Sequence, residues 1–318
     1  MSPAALLLTP GDPLGVGPEV SCKALHALRA QGRCPPVVLV GAYEPVERAA
    51  QAIGLPVARV SMGEAYALAA SQVVPVVEPR GDEPVEVSAI RVAVAELLAH
   101  RAGALVTGPV DKGSIAARGV PFVGHTELLG ELCGARPLMA FVGGRFRVAL
   151  VTTHLPLAKV PAAITAERIA FTLDTVDRAL REQVGIPKPR LWVCGLNPHA
   201  GDGGLLGSEE LEIIAPAVQA ARARGLDVVG PVSAEAAFRH GDGERDLIVA
   251  MYHDQGLAPL KAVDSGRAVN WTVGLPILRT SVDHGTARDI AGQGIADPSS
   301  MLAAIAWART LVERRARP

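Results

Sequence analysis

Aromatic side chains are scarce in this sequence: Phe, Trp and Tyr together make up 3% of 318 residues. Single-strand nucleic-acid binders and RNA modules stack bases on aromatic rings, so nucleic acid is not expected as a partner. Charge of one sign is lacking as well, since 31 basic residues face 32 acidic ones and the formal net charge is -1. With no global positive field to recruit nucleic acid or an acidic membrane surface, any basic site has to be local. The four cysteines, Cys22, Cys34, Cys133 and Cys194, form no CxxC pair. Neither a zinc ribbon nor a disulfide framework is suggested, and a reducing cytoplasm fits best. No apolar run approaches the roughly 18 residues that span a bilayer. The opening MSPAALLLTPGD has no basic n-region and too short an apolar stretch for a secretion signal. A soluble, cytoplasmic protein without membrane contact is therefore expected. Lysine is rare too, limited to Lys23, Lys112, Lys159, Lys188 and Lys261, so a lysine inside a glycine-rich loop invites a chemical explanation.

What is there is a chain 49% hydrophobic and 20% charged, with 33 glycines and 25 prolines, a globular composition. Short β-branched runs alternate with longer Ala/Leu/Arg/Glu segments. The spacing predicts strands over 4–8, 37–40, 73–77, 104–107, 147–152, 190–194 and 247–251. It predicts helices over 18–29, 45–53, 87–101, 126–133, 166–183, 208–224 and 298–315. Such alternation implies an α/β fold with a largely parallel sheet covered by helices. Ligands of such sheets gather at the carboxyl ends of the strands.

Those ends carry the candidate residues. Thr9-Pro-Gly11-Asp12-Pro-Leu-Gly-Val-Gly-Pro-Glu19 is a glycine-rich strand-to-helix junction without the GxGxxG spacing of a dinucleotide fingerprint. Leu105-Val-Thr-Gly-Pro-Val-Asp-Lys112-Gly runs a strand into a helix start, where backbone N–H groups and one lysine suit an anion, although Lys112 could equally be solvated. Three histidines, His154, His199 and His253, each follow an apolar strand. Strand ends in one parallel sheet converge, so these histidines form a candidate catalytic metal site with open coordination positions. His125 and His284 sit in polar, turn-like segments, whereas His26, His100 and His240 fit solvated surfaces. After His253 come Asp254, Lys261, Asn270 and Arg279. Together they offer a carboxylate, two cations and an amide, a set able to hold a small anionic substrate.

The motifs TPGDPLGVGPE, GPVDKG, GHTE, THLPL, NPHAG, YHDQGLAPLK and GLPILRTSVDHGTA together resemble the 4-hydroxythreonine-4-phosphate dehydrogenase family of pyridoxal phosphate biosynthesis. The likeness runs from Thr9 to about residue 303. The family is similar in turn to isocitrate and isopropylmalate dehydrogenases, whose adenine-nucleotide loop HGTARDIAGQGIADP resembles. The resemblance implies a two-lobed α/β architecture with the active site in the cleft between lobes. One lobe, on the cofactor side, would comprise 1–121 plus 280–318, and a metal-binding, dimerising lobe 122–279. It implies His154, His199 and His253 as ligands of one divalent metal, zinc foremost with cobalt or magnesium as alternatives, in a site shared across a homodimer. It implies substrate contacts at His125, Thr126, Lys261, Asn270 and Arg279, with Lys112 as a further cation, and catalytic roles for Asp254 and Lys261. NAD or NADP would meet Gly11, Asp12, His284, Gly285, Asp289 and Gly292. The implied reaction oxidises the C3 hydroxyl of a small phosphorylated amino acid, 4-phosphohydroxy-L-threonine, and then decarboxylates the product.

One stretch departs from the family. Where Ala-Asp-Thr is usual, this chain has Ala234-Glu235-Ala236, which displaces a carboxylate and removes a hydroxyl. The alternatives are therefore relatives acting on phosphorylated threonate or erythronate, or on aromatic cis-dihydrodiols. From other classes, a three-histidine metal hydrolase would not need the HGTARDIAGQGIADP loop, and a non-catalytic metabolite-binding protein would have no use for an open metal position.

Overall fold

The structure, a computed structural model, describes residues 4–143, 145–239, 243–264 and 266–315. His240, which the sequence assigns to solvent, lies outside them, while His26 and His100 are exposed as expected. Among the described residues the strands are β1 (Leu6–Thr9), β2 (Val37–Val40), β3 (Val57–Arg59), β4 (Val74–Val77), β5 (Ala104–Thr107), β6 (Leu138–Val142), β7 (Arg147–Leu150), β8 (Arg190–Cys194), β9 (Asp227–Val232), β10 (Leu247–Ala250), β11 (Val269–Val273) and β12 (Arg279–Ser281). The chain divides into two compact units, Met1–Pro137 with Leu275–Pro318, and Leu138–Gly274.

In the first unit the strand order is β3-β4-β2-β1-β5-β12 and every pairing is parallel. Strands β1, β2, β4 and β5 are buried along their whole length. Continuous Val/Leu runs without polar alternation belong in such a sheet, where helices cover both faces. Helix Val85–Leu98 packs on β1, β2 and β5, and helices Gly17–Ala30 and Ser299–Arg315 pack on each other.

In the second unit the order is β11-β6-β7-β10-β8-β9. The β7, β10, β8 and β9 pairings are parallel, but β6 is antiparallel to both β7 and β11. The short connection from Val142 to Arg147 explains the reversal, because a parallel crossover needs a dozen or more residues. Trp271 on β11 is fully buried and its Nε1 donates to Gln183 Oε1 at 3.1 Å.

The unit boundaries fall at 137/138 and 274/275, where the family resemblance places them at 121/122 and 279/280. Packing accounts for the difference. Phe122, Leu128 and Leu129 share one buried cluster with Ile90, Leu97, Leu275 and Ile277, and Arg279 opens β12, which pairs with β5. His125, Thr126 and Arg279 therefore belong to the first unit. Among the described residues no helix is long and apolar enough to cross a membrane, and all four cysteines are free thiols.

Candidate active site

The three histidines singled out in the sequence follow β7, β8 and β10, and β10 lies between the other two. Polar side chains tie these strand ends together. Thr152 Oγ1 donates to the Met251 carbonyl at 2.7 Å. Gln255 accepts from Met251 N at 2.7 Å and donates through Nε2 to the Gly195 carbonyl at 2.7 Å. The result brings the His154 and His253 rings to 5.5 Å between centroids. His253 Nδ1 lies 2.6 Å from Asp254 Oδ1, so the carboxylate fixes the ring and turns Nε2 outward. This is the usual support for a metal-binding imidazole.

His199 is placed differently. It is exposed and begins a run, His199 to Gly203, in which all five residues have left-handed φ, including 52° at His199, 54° at Ala200 and 44° at Asp202. Such a conformation is costly for residues other than glycine and persists only when its surroundings impose it. Glu210, 3% exposed, supplies that constraint by accepting from the backbone N–H groups of Leu196 and Asn197 at 2.6 and 2.7 Å and from Asn197 Nδ2 at 2.9 Å. Among the described residues no three His, Cys, Asp or Glu groups are arranged to hold a metal. The chain thus brings together two of the three expected imidazoles, whose donor chemistry fits a divalent metal as part of its ligand set. Lys261 is exposed near the end of helix His253–Val263. Asn270 on β11 keeps a buried Oδ1 without a hydrogen-bond partner.

In the first unit the cationic side chains of Arg279 and Lys112 stand close enough to His125 to act on its charge. The ring packs edge-on against Phe122, with centroids 6.0 Å apart. Its pKa is pushed down to about 3, first by burial and then by the charges of Arg279 and Lys112. His125 is therefore neutral at physiological pH. Its Nε2 is enclosed and has no protein partner, which fits a hydrogen bond kept for a ligand. Arg279 is 2% exposed, and burial lowers its pKa to about 9, still cationic at neutral pH. Its Nη2 donates to Thr107 Oγ1 at 2.7 Å, which aims the guanidinium along the β5 edge. Lys112 opens helix Lys112–Ala117 after the N-cap Asp111, whose Oδ1 accepts from Ser114 N at 2.6 Å. Thr126 sits in the first turn of helix His125–Cys133.

The glycine-rich junction, where a cofactor contact is expected, is built on close internal contacts. Gly11 has φ 86°, and a Cβ there would meet the Pro109 carbonyl oxygen, so this glycine lets the β1 and β5 loops touch. Asp12 is 1% exposed, and its carboxylate accepts from Leu14 N at 3.0 Å and from Arg288 Nε at 2.7 Å. It is committed to Arg288 and to its own turn. In the 284–297 segment His284 Nδ1 meets the Gly285 carbonyl at 2.8 Å while its Nε2 lacks a partner, and Asp289 is exposed. Asp289 lies in a turn and the next helix begins at Ser299, which removes a helix-cap role for it. Gly285 and Gly292 have open space at the Cβ position. These groups fit an adenosine moiety, with a carboxylate for ribose hydroxyls and glycines where a ligand can approach closely.

Gln255 and Glu210, which hold the strand-end backbone, are not singled out by the sequence. Gln255 sits inside the YHDQGLAPLK motif beside His253, so its place in the motif was a signal. Glu210 carries no local signal, because its role depends on a loop more than ten residues away.

Comparison with known proteins identifies the family. A family model described as pyridoxal phosphate biosynthetic protein PdxA matches residues 33–308. The chain is 45% identical over 326 residues to a 4-hydroxythreonine-4-phosphate dehydrogenase of Azoarcus sp. strain BH72, covering 98% of this chain and 97% of that one. A solved 4-hydroxythreonine-4-phosphate dehydrogenase of Klebsiella pneumoniae superposes with a TM-score of 0.87 at 36% identity, covering 98% of each chain. A terephthalate 1,2-cis-dihydrodiol dehydrogenase of Burkholderia xenovorans is 28% identical with a TM-score of 0.65, covering 96% of this chain and 98% of that one.

Proposed function

The chain belongs to the pyridoxal phosphate biosynthetic protein PdxA family, and from that membership we propose that it oxidises the C3 hydroxyl of 4-phosphohydroxy-L-threonine with NAD and loses carbon dioxide to leave 3-amino-2-oxopropyl phosphate. The observation that carries this reading is the 45% identity over 98% of the chain to a dehydrogenase of that name. When bound, NAD supplies the hydride acceptor, and a divalent metal, zinc foremost with cobalt or magnesium as alternatives, supplies a Lewis acid for the alcohol and for the charge left by decarboxylation. His154, His199 and His253 are the residues to hold the metal, with Asp254 orienting His253. Arg279, Lys112 and Lys261 are the cations for the phosphate and carboxylate. Neutral His125 donates a hydrogen bond, and Thr126 and Asn270 add a hydroxyl and an amide. A second copy of the chain completes the metal site. Exposed Leu155, Leu157, Leu205, Leu206 and Leu211 flank His154 and His199, an apolar surface suited to a homodimer. Four free thiols fit a reducing compartment, and we assign the enzyme to the cytoplasm.

For cofactor choice, Asp289 is exposed and Arg288 is held by Asp12 at 2.7 Å. A carboxylate suits ribose hydroxyls and repels the extra phosphate of NADP, and a guanidinium already paired is poorly placed to offset that repulsion. NAD is expected to be preferred by about tenfold, a contact difference of about 1.4 kcal/mol. Measurement of kcat/KM with both cofactors, before and after Asp289→Ser, checks this. Equal use by the native chain, or no movement toward NADP in the variant, removes Asp289 from the site.

The departure at Glu235 and Ala236 favours one second reading, a substrate without the amino group. The Glu235 side chain is 75% exposed and pairs with Arg239 at 3.5 Å, while Ala236 has no hydroxyl to offer. NADH formation across a panel of 4-phosphohydroxy-L-threonine, 4-phospho-threonate, 4-phospho-erythronate and an aromatic cis-dihydrodiol decides between them.

A further inference from the structure

One buried ion pair in the first unit is not used by the chemistry above. Glu19 and Lys23 stand one turn apart on helix Gly17–Ala30, with 2.8 Å between Nζ and Oε1. Glu19 is 8% exposed, yet it makes its other contacts with a distant segment rather than its own helix. Oε2 accepts from Gly292 N and Oε1 from Ala296 N, both at 3.1 Å. Lys23 Nζ donates to the carbonyls of Gly294 and Ala296, both at 2.8 Å. The pair therefore serves both donors and acceptors of the 292–296 backbone, which has no helix or strand to satisfy them. The segment's other end is held from the same junction: Val16 N donates to the Thr286 carbonyl at 2.8 Å, and Arg288 binds Asp12. Burial alone would raise the Glu19 pKa, but the Lys23 ammonium and the loop amides outweigh it and hold the carboxyl below its ordinary range. The Glu19 carboxylate is thus charged at neutral pH.

We propose that Glu19 and Lys23 are positioning residues that hold the 285–297 segment in its NAD-binding shape before the cofactor arrives. The proposal rests on the cofactor reading given above. Gly292 and Gly294 both have positive φ, 75° and 72°, and glycine loses more freedom on ordering than any other residue. Without the clamp, that ordering has to be supplied by NAD itself and weakens its binding. Neither residue is among those assigned above to substrate, cofactor or metal, so their effect should appear on the cofactor side alone.

The test uses the full-length protein with Glu19→Gln and Lys23→Met, and with Glu19→Asp as the conservative variant. The first readout is amide hydrogen exchange of the 285–297 segment without NAD. The second is NAD affinity by direct titration, alongside KM for the phosphorylated substrate. Faster exchange at Gly292 and Ala296 is expected, with NAD affinity weakened by roughly tenfold, substrate KM within about twofold, and part of the loss recovered in Glu19→Asp. A variant that folds and shows unchanged exchange at those amides overturns the clamp. Faster exchange with unchanged NAD affinity overturns its role in cofactor binding. Failure of the native protein to bind NAD would instead overturn the cofactor reading, and the exchange result in the NAD-free protein separates the two failures. Should Glu19→Gln fail to fold, Lys23→Met, which changes the less buried partner, carries the same comparison.

Discussion

Alanine at His154 or at His253 is expected to lower kcat/KM by about a thousandfold, roughly 4 kcal/mol of transition-state stabilisation, the size of effect a Lewis-acid metal supplies. The fold should survive. His154 is exposed and the His253 side chain is 34% exposed, so neither replacement opens a core cavity, and thermal midpoints should move by only a few degrees. Asp254→Asn is the graded version. It keeps the shape of the His253 contact but weakens the acceptor, and metal affinity should fall by about ten- to a hundredfold, as for other supports of a metal-bound imidazole. Because no three ligands assemble among the described residues of one chain, the same variants test the shared site. Mixing His154→Ala, His199→Ala and His253→Ala chains in pairs should restore up to about a quarter of native activity in two of the three pairings, as random exchange within a symmetric dimer requires. No recovery in any pairing places all three ligands on one chain, and full activity in any single variant removes the metal site.

Arg279→Met carries the second large effect. Arg279 is 2% exposed and bonded to Thr107, so a side chain of similar length fills its space while removing the charge. Losing a charge-assisted hydrogen bond costs about 1.5–3 kcal/mol, and the substrate KM should rise by about ten- to a hundredfold. NAD affinity should stay within about twofold of native, because the nucleotide segment is anchored by other groups. Loss of NAD binding with an unchanged substrate KM would assign Arg279 to the wrong ligand.

Much of this was legible from sequence periodicity. The buried parallel strands β2, β5 and β8 read directly, since Val37–Val40, Ala104–Thr107 and Arg190–Cys194 are apolar runs with clear breakers on both sides. Helices Ala166–Ala179 and Ser299–Arg315 read equally well. Other elements did not. Strand β9 contains Gly230-Pro231, a pair that ordinarily ends a strand, and β12 is three residues long. Helix Met62–Leu68 starts at a capping box formed by Ser61 and Glu64, but its apolar face is too short to establish a period. Helix His253–Val263 contains Gly256 and Pro259, so its sequence looks like a loop. At the site, strand-end position singles out His154, His199 and His253, of which the structure brings the rings of His154 and His253 together. The supports were not legible, since Glu19 and Lys23 act on a segment some 270 residues away and no local pattern announces such contacts.

The central claim is an oxidation coupled to decarboxylation of an aminated, phosphorylated substrate, and the most direct measurement is product stoichiometry. Native protein with NAD, a divalent metal and 4-phosphohydroxy-L-threonine should release one carbon dioxide for each NADH formed. That turnover should exceed turnover of 4-phospho-threonate and 4-phospho-erythronate, and it should stop when a chelator removes the metal. NADH without carbon dioxide, or faster turnover of a substrate that lacks the amino group, would contradict the account.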